Sequence, residues 1–341
     1  MNRLTLGIET SCDETAAAVY SSKHGVLSNE LFSQIKEQKA FGGVVPEIAS
    51  RTHLEKINGI VESALKTAGV TLDEIEVVAV TSKPGLPSAL LVGFCFGKAL
   101  AWVKQKKFIG INHLEGHAFS AFLNNKDIPF PHLCLTASGG HTALYYVTGF
   151  GAYKTIAHTI DDAAGEAFDK IARLIQLPYP GGPEIEQLAQ KAGFKDYFNY
   201  PRGKKDRFNF SFSGLKTAVM YDLVEKDAYD MATKKFLKPH DLKLKEEVAS
   251  SLLVCITDIF KQKIALALKE YPDVKALTFV GGVACNSYIR EQLKEFLSKR
   301  NISLLYPAKQ YCTDNAAMIA FVGNYKAERD EFSPWNLDIL Q

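Results

Sequence analysis

Leu4-Thr5-Leu6-Gly7-Ile8-Glu9-Thr10-Ser11-Cys12-Asp13-Glu14-Thr15-Ala16-Ala17-Ala18-Val19-Tyr20 opens with an apolar run, a polar turn from Glu9 to Glu14, and a second run of small and apolar residues. Short apolar stretches bounded by turn residues read as strands, here a strand and its return. The pattern recurs at His132 to Thr136, the turn Ala137-Ser138-Gly139-Gly140-His141, and Thr142 to Val147. The letters of the two segments match weakly, so the repeated architecture carries the argument for duplication. The expected class is α/β with two lobes.

Outward from these starts, a third strand is expected from Val26 to Ile35 and a helix from Pro46 to Gly69, with proline in its first turn. Strands at Glu76 to Ser82 and Phe108 to Asn112 flank a helix from Pro87 to Lys104. After the second start come helices at Ala163 to Ile175, Glu184 to Lys191, Leu242 to Lys269 and Asn286 to Lys299, a strand at Ala276 to Val280, and a closing helix at Thr313 to Arg329. These give an N-terminal lobe over 1–131, completed by the returning helix 313–329, and a C-terminal lobe over 132–312 with an insert at about 194–239.

The 341 residues are 47% hydrophobic and 23% charged, which excludes a disordered or fibrous chain. The net charge of +2 leaves any nucleic-acid contact to local basic patches. Six scattered cysteines without a CxxC read as reduced thiols. The N-terminal apolar run is cut by Glu9, and Ala89 to Trp102 is broken by Gly93, Gly97 and Lys98. Neither is a secretory signal or a membrane span, so the expectation is a cytoplasmic, membrane-free protein.

His113 and His117 lie at i and i+4 of a run that continues to Leu123, so on a helix both imidazoles share a face and can reach one metal ion. A pair of buried or capping histidines is the other reading. The zincin order places a glutamate directly after the first histidine, where this chain has Leu114, so peptidase machinery of that type is not expected. Gly116 implies a close neighbour. Asp314, ahead of the last helix, is either a cap or a carboxylate third ligand, and two histidines with one carboxylate suit Fe(II) or Zn(II).

Three turns, Glu9 to Glu14, Ser138 to Thr142 and Gly281 to Asn286, each follow a strand and are rich in small or acidic groups. Together they suggest a bound nucleotide, because glycines admit phosphate oxygens to backbone N–H groups. Asp161 and Asp162 read as surface charge, whereas Asp169 is placed to accept from a sugar hydroxyl. In the insert, Phe194, Phe198, Phe208, Phe210 and Phe212 alternate with Arg202, Lys204, Lys205 and Arg207. They are either an RNA-stacking surface or the anchors of a subdomain.

Ordered blocks across nearly the whole chain closely resemble one family. They are Gly7 to Thr15 (GIETSCDET), Gly42 to Glu47 (GGVVPE), His113 to His117 (HLEGH), Ser138 to Thr142 (SGGHT), Asp161 to Lys170 (DDAAGEAFDK), Tyr179 to Pro183 (YPGGP), Phe210 to Thr217 (FSFSGLKT) and Cys312 to Asn315 (CTDN). They are similar to the bacterial and organellar TsaD family, tRNA adenosine threonylcarbamoyltransferases once called O-sialoglycoprotein endopeptidases. The resemblance implies an actin/Hsp70-like two-lobed fold of duplicated ribonuclease-H-like domains with mixed sheets. It also implies transfer of threonylcarbamoyl from threonylcarbamoyl-adenylate to the adenosine 3′ of the anticodon, in tRNAs reading codons that begin with A.

By matched motif, His113, His117 and Asp314 would hold one divalent metal, Fe(II) first and Zn(II) as the alternative. Thr136, Ala137, Ser138, Gly139 and Gly140, with Asp169, Gly182, Glu186 and Asn286, would bind the adenylate. Asp13 is the candidate catalytic residue that orients the amine or takes its proton, with Glu14 as an alternative. The family usually has Asp where this chain has Glu186, and Lys83 to Ser88 departs from its usual Gly-Pro-Gly-Leu loop. The implied partners are tRNA, a TsaB-like paralogue, a TsaE-like ATPase and a TsaC-like supplier of the adenylate. The helix face of Ile57, Ile60, Val61 and Leu65 is either the paralogue-facing surface or ordinary core. A metallopeptidase and a non-catalytic ATP-binding member of the fold are the rival readings.

Overall fold

The computed structural model describes residues 2–204 and 207–339. In chain order the elements are β1 (Leu4–Glu9), β2 (Glu14–Ser21), β3 (Gly25–Ser33), α1 (Ile35–Gln38), α2 (Pro46–Ala68), β4 (Val77–Lys83), α3 (Pro87–Val103), β5 (Lys107–Asn112) and α4 (His113–Phe119). There follow β6 (His132–Ala137), β7 (Thr142–Gly149), β8 (Ala152–His158), α5 (Ala164–Leu174), α6 (Gly181–Lys191), α7 (Ser213–Glu225), β9 (Tyr229–Asp230), β10 (Lys235–Phe236), α8 (Leu242–Glu270), β11 (Ala276–Val280), α9 (Ser287–Ser298), β12 (Ser303–Leu305) and α10 (Ala316–Glu328). The chain divides into two compact units, Met1–Asp127 with Pro307–Gln341, and Ile128–Tyr306.

Each unit is built on a five-stranded sheet, ordered β3-β2-β1-β4-β5 in the first and β8-β7-β6-β11-β12 in the second. In both, the leading strand pairs antiparallel with the next one and parallel with the strand that follows the crossover. The same order and senses in both halves are the signature of duplication that the weak sequence match only hinted at. Among the described residues, no helix is long and apolar enough to cross a membrane.

In the first unit, α2 and α3 cover one sheet face through Leu6, Ile8, Val78, Val80, Ile57, Val61 and Phe94. Ile57 and Val61 are core, and Ile60 and Leu65 pack against them, so the α2 face considered for a paralogue is spent internally. The other sheet face takes α10 through a layer of small residues: Ala16, Ala18, Ala316, Ala317 and Ala320. A side chain at Gly7 would run into the Ala316 and Ala320 backbone, and one at Gly323 into Ala79.

Several elements of the second unit were not legible in advance. Strands β8 and β12, helix α7 and the β9–β10 hairpin appear where the residues carry no clear period, and α6 begins at Gly181 rather than Glu184. Phe210 and Phe212 are fully buried and meet Phe260 of α8 edge-on, with centroids 6.0 and 6.4 Å apart. Arg202 pairs with Asp196 and Asp258. These residues therefore anchor the insert, which removes them from any RNA-stacking surface; Lys205 lies outside the described residues. Asp161, expected to be plain surface charge, accepts from the Ser211 and Ser213 hydroxyls and the Phe212 and Ser213 amides at the start of α7.

The tight packing of β1 on α10 sets a direct test. Gly7→Val adds branched carbons where only backbone fits and is expected to cost about 1–3 kcal/mol. That corresponds to a fall of roughly 2–4 °C in melting temperature per kcal/mol for a unit of this size. Gly139→Ala, whose added carbon meets open space, should melt with the parent protein.

Candidate metal centre and glycine-lined turns

Sheet register places the first group of side chains. Ile8 pairs with Val80 on β4, Thr81 pairs with Ile111 on β5, and β5 ends directly before His113. Glu9, Thr81 and His113 therefore meet at one sheet edge, the carboxyl end of three parallel strands, where open α/β sheets commonly build sites. Asn112 caps α4 by accepting from the Leu114 and Glu115 amides at 2.8 and 3.3 Å. That starts the helix at His113 and puts His117 one turn on.

Helix α10 supplies the third residue. Its cap is Asn315, whose side chain accepts from Met318 N at 3.0 Å, so Asp314 is free of the capping role considered for it. Asp314 Oδ1 lies 2.9 Å from His117 Nε2 and 3.4 Å from His113 Nε2. One ligand atom from each of the three residues lies within 4.8 Å of the others. Two neutral imidazole nitrogens and a carboxylate facing one point fit a divalent cation, and His117 Nδ1 is buried with no hydrogen-bond partner among the described residues. The close neighbour of Gly116 is α10 itself, since a side chain there would meet Ile319 at 3.0 Å and Met318 at 3.2 Å. Glu115 is turned away and pairs with Lys326 at 2.9 Å, so it cannot serve as a peptidase base.

Charge balance among these groups is held internally. Burial disfavours charge on His113, but the Asp314 and Glu9 carboxylates outweigh it and hold the imidazole well above its ordinary value. Burial likewise opposes ionisation of Asp314, and His113 and His117 more than reverse this, keeping it well below the usual carboxylate range. Glu14 goes the other way: burial, Asp314 and Asp13 push it well up. Asp13 is buried in the turn between β1 and β2. That turn is fixed by His53, which reaches the Cys12 carbonyl at 2.9 Å and the Thr15 hydroxyl at 2.8 Å. Burial drives the Cys12 thiol far up, which removes it as a nucleophile.

The positions expected to bind substrate lie in the second unit and are joined pairwise. Thr136 pairs with Val280, and Gly281, with φ of 91°, passes so close to Ala137 that a side chain would strike its backbone. Gly165 N donates to the Ser138 carbonyl at 3.1 Å, and Gly139 and Gly140 are exposed with open space above them. Asp169 Oδ1 accepts from Gly181 N at 2.7 Å, beside Gly182. Glu186 accepts from Ser287 N at 2.6 Å and Tyr288 N at 3.3 Å, at the start of α9 where Asn286 is the cap. Its longer reach is thus spent on a helix N-terminus, a favourable place for a carboxylate.

The family described as tRNA N6-adenosine threonylcarbamoyltransferase matches residues 25–321. Enzymes of that name from Clostridium beijerinckii and Caldicellulosiruptor saccharolyticus are 43% and 44% identical, aligned over 98% and 99% of this chain and 96% and 97% of theirs. The chain belongs to the tRNA N6-adenosine threonylcarbamoyltransferase family. Its members are transferases, and the chain is an enzyme of that class. Among solved structures, Thermococcus kodakarensis HypF superposes with a TM-score of 0.60 at 14% identity, over 96% of this chain and 48% of its own. Component A of the Acidaminococcus fermentans (R)-2-hydroxyglutaryl-CoA dehydratase gives 0.55 at 13%, over 96% and 99%. At such identities the likeness shows the two-lobed actin/Hsp70-like fold alone.

The functional residue that sequence reasoning passed over is Glu9, read only as the start of a polar turn. Its signal was available: an acidic residue directly after the apolar run Leu4 to Ile8.

The ion-paired state has a pH signature. Because the folded His113 value is raised, its contribution to stability is complete below the ordinary histidine range, near 6.5, and is lost as pH rises through the folded value. Asp314 behaves oppositely, contributing above the ordinary carboxylate range and losing that contribution as pH falls through its depressed value. Metal needs the neutral imidazole, so uptake should release about one proton and tighten about tenfold per pH unit while His113 is protonated in the free protein. Calorimetry in buffers of different ionisation heat measures this, and a pH-independent affinity would contradict it.

Proposed function

We propose that the chain transfers the threonylcarbamoyl group from threonylcarbamoyl-adenylate to the exocyclic amine of the adenosine 3′ of the anticodon, in tRNAs reading codons that begin with A. The observation that carries this reading is the convergence of His113, His117 and Asp314 in a chain that belongs to this transferase family. In the reaction the amine nitrogen bonds to the carbamoyl carbon. The bond from that carbon to the phosphate oxygen breaks, and AMP leaves with the electron pair. Phosphate is a good leaving group, so no strong acid is required.

The difficulty is the adenine amine, a weak nucleophile, and the side chains divide the work around it. His113, His117 and Asp314 would hold a divalent cation, Fe(II) in the first instance and Zn(II) as the alternative, which when bound supplies Lewis acidity and a template. Asp13 is the group assigned to orient the amine and accept its proton. The Ser138-Gly139-Gly140 turn, exposed and unobstructed, is assigned to the donor, with backbone N–H groups for charge on oxygen. Asp169, Gly182, Glu186 and Asn286 complete the adenylate contacts in this reading. Asp169 Oδ1 and Glu186 Oε1 already accept backbone donors, which fixes the orientation of both carboxylates.

By family likeness the working set includes a TsaB-like paralogue and a TsaE-like ATPase, with the adenylate from a TsaC-like enzyme, in the cytoplasm. Reconstitution with these proteins, threonine, bicarbonate, ATP and unmodified tRNA is expected to add threonylcarbamoyl to one adenosine, read by nucleoside mass. His113→Ala should lower turnover by at least about 100-fold, since losing even a hydrogen-bond partner behind a metal ligand typically costs about 10- to 100-fold. Unmodified tRNA with the parent protein, or full turnover with the variant, would refute the proposal.

A further inference from the structure

Glu9 is fully buried at the end of β1. Three donors hold its carboxylate: Ser11 N at 2.5 Å on Oε1, and the Thr81 hydroxyl at 2.5 Å and His113 Nδ1 at 3.1 Å on Oε2. The Ser11 hydroxyl also lies 3.2 Å from His113 Nδ1, but an ionised oxygen is the stronger acceptor of the two. His117 differs, because its Nδ1 has no partner among the described residues.

The duplicated unit provides an internal control. Strands β1 and β6 have six residues each and occupy the same place in the same strand order. Strand β1 ends on Glu9, whereas β6 ends on Ala137. The fold therefore closes this strand end with a methyl group where no histidine must be held. A buried carboxylate here is a costly choice for packing alone.

We infer that Glu9 is the positioning residue of the metal centre, fixing the proton of His113 on Nδ1 so that the Nε2 lone pair is presented beside Asp314. This rests on the metal reading of the triad and adds to it a ranking of the two histidines. His113 is the anchored ligand and His117 the adjustable one. A carboxylate behind a ligating imidazole fixes its tautomer and raises its basicity, and loss of such a partner typically costs 10- to 100-fold in metal affinity.

The test uses the full-length protein and Glu9→Gln, which keeps the shape of the side chain. Its amide oxygen can still accept from Ser11 N, so the amide nitrogen faces His113 Nδ1 and Thr81. The imidazole must then accept at Nδ1 and carry its proton on Nε2. Zinc affinity is measured for both proteins by competition with a chelator, and the His113 tautomer by long-range proton–nitrogen NMR.

The expected result is zinc-loaded parent protein with the His113 proton on Nδ1, and a variant that melts normally, binds zinc about 10- to 100-fold more weakly and shows the Nε2–H form. Equal affinity and an unchanged tautomer in the variant would overturn the role of Glu9 alone. If the variant does not fold, the parent spectrum decides: a zinc-bound His113 protonated on Nε2 overturns the inference. A parent protein that takes up no zinc or iron overturns the metal reading beneath it, a distinct result.

Discussion

Helix α10 lies so close to strands β1 and β4 that Gly7 and Gly323 have no room for side chains, and the local arrangement of the first unit depends on that contact. Helix α10 comes from the far end of the chain. Packing its alanine face onto the β1–β2 surface sets the position of its first turn. Just ahead of its Asn315 cap, Asp314, 197 residues beyond His117, is thereby held against both histidines. Glu115 paired with Lys326, and Gly116 pressed on Met318 and Ile319, tie the short helix α4 to α10 from its other side. A metal centre needs its donors within tenths of an ångström, and rigid elements supply this better than loops do.

Duplication explains how one chain offers two kinds of chemistry. Both units share a strand order and turn between their first two strands, yet the turns diverged. In the first unit the turn is acidic and buried, fixed by His53 and flanked by Glu9 and Glu14. In the second it is the exposed Ser138-Gly139-Gly140, unobstructed and hydrogen-bonded to the start of α5. One unit thus concentrates imidazole and carboxylate, the other backbone N–H groups and hydroxyl acceptors. Charge is what a metal requires of its ligands, and an accessible backbone is what an anionic nucleotide requires.

The buried strands and long amphipathic helices of the first unit were legible because their periodicity is strong, and the i,i+4 histidines because a helix places them on one face. Strand order in the second unit was only half legible. Strand β8 is largely exposed and β12 only three residues long, so neither leaves an alternating pattern. The insert could be read two ways because aromatic and basic residues interleave there, and the subdomain reading holds for Phe210, Phe212 and Arg202, which turn inward onto α8 and its acidic neighbours. Interleaving fixes composition, whereas direction comes from tertiary packing. Glu186 was legible as a carboxylate but not as a partner of the α9 amides, a contact 101 residues distant in sequence.

The central claim is that two imidazoles and a carboxylate from opposite ends of the first unit bind one cation. X-ray absorption at the metal edge of iron- or zinc-loaded full-length protein tests this most directly. The account predicts one ion per chain, with two imidazole nitrogens at about 2.0–2.1 Å and carboxylate oxygen at about 2.0–2.2 Å. A spectrum without imidazole scattering, or with sulfur in the first shell, would contradict it.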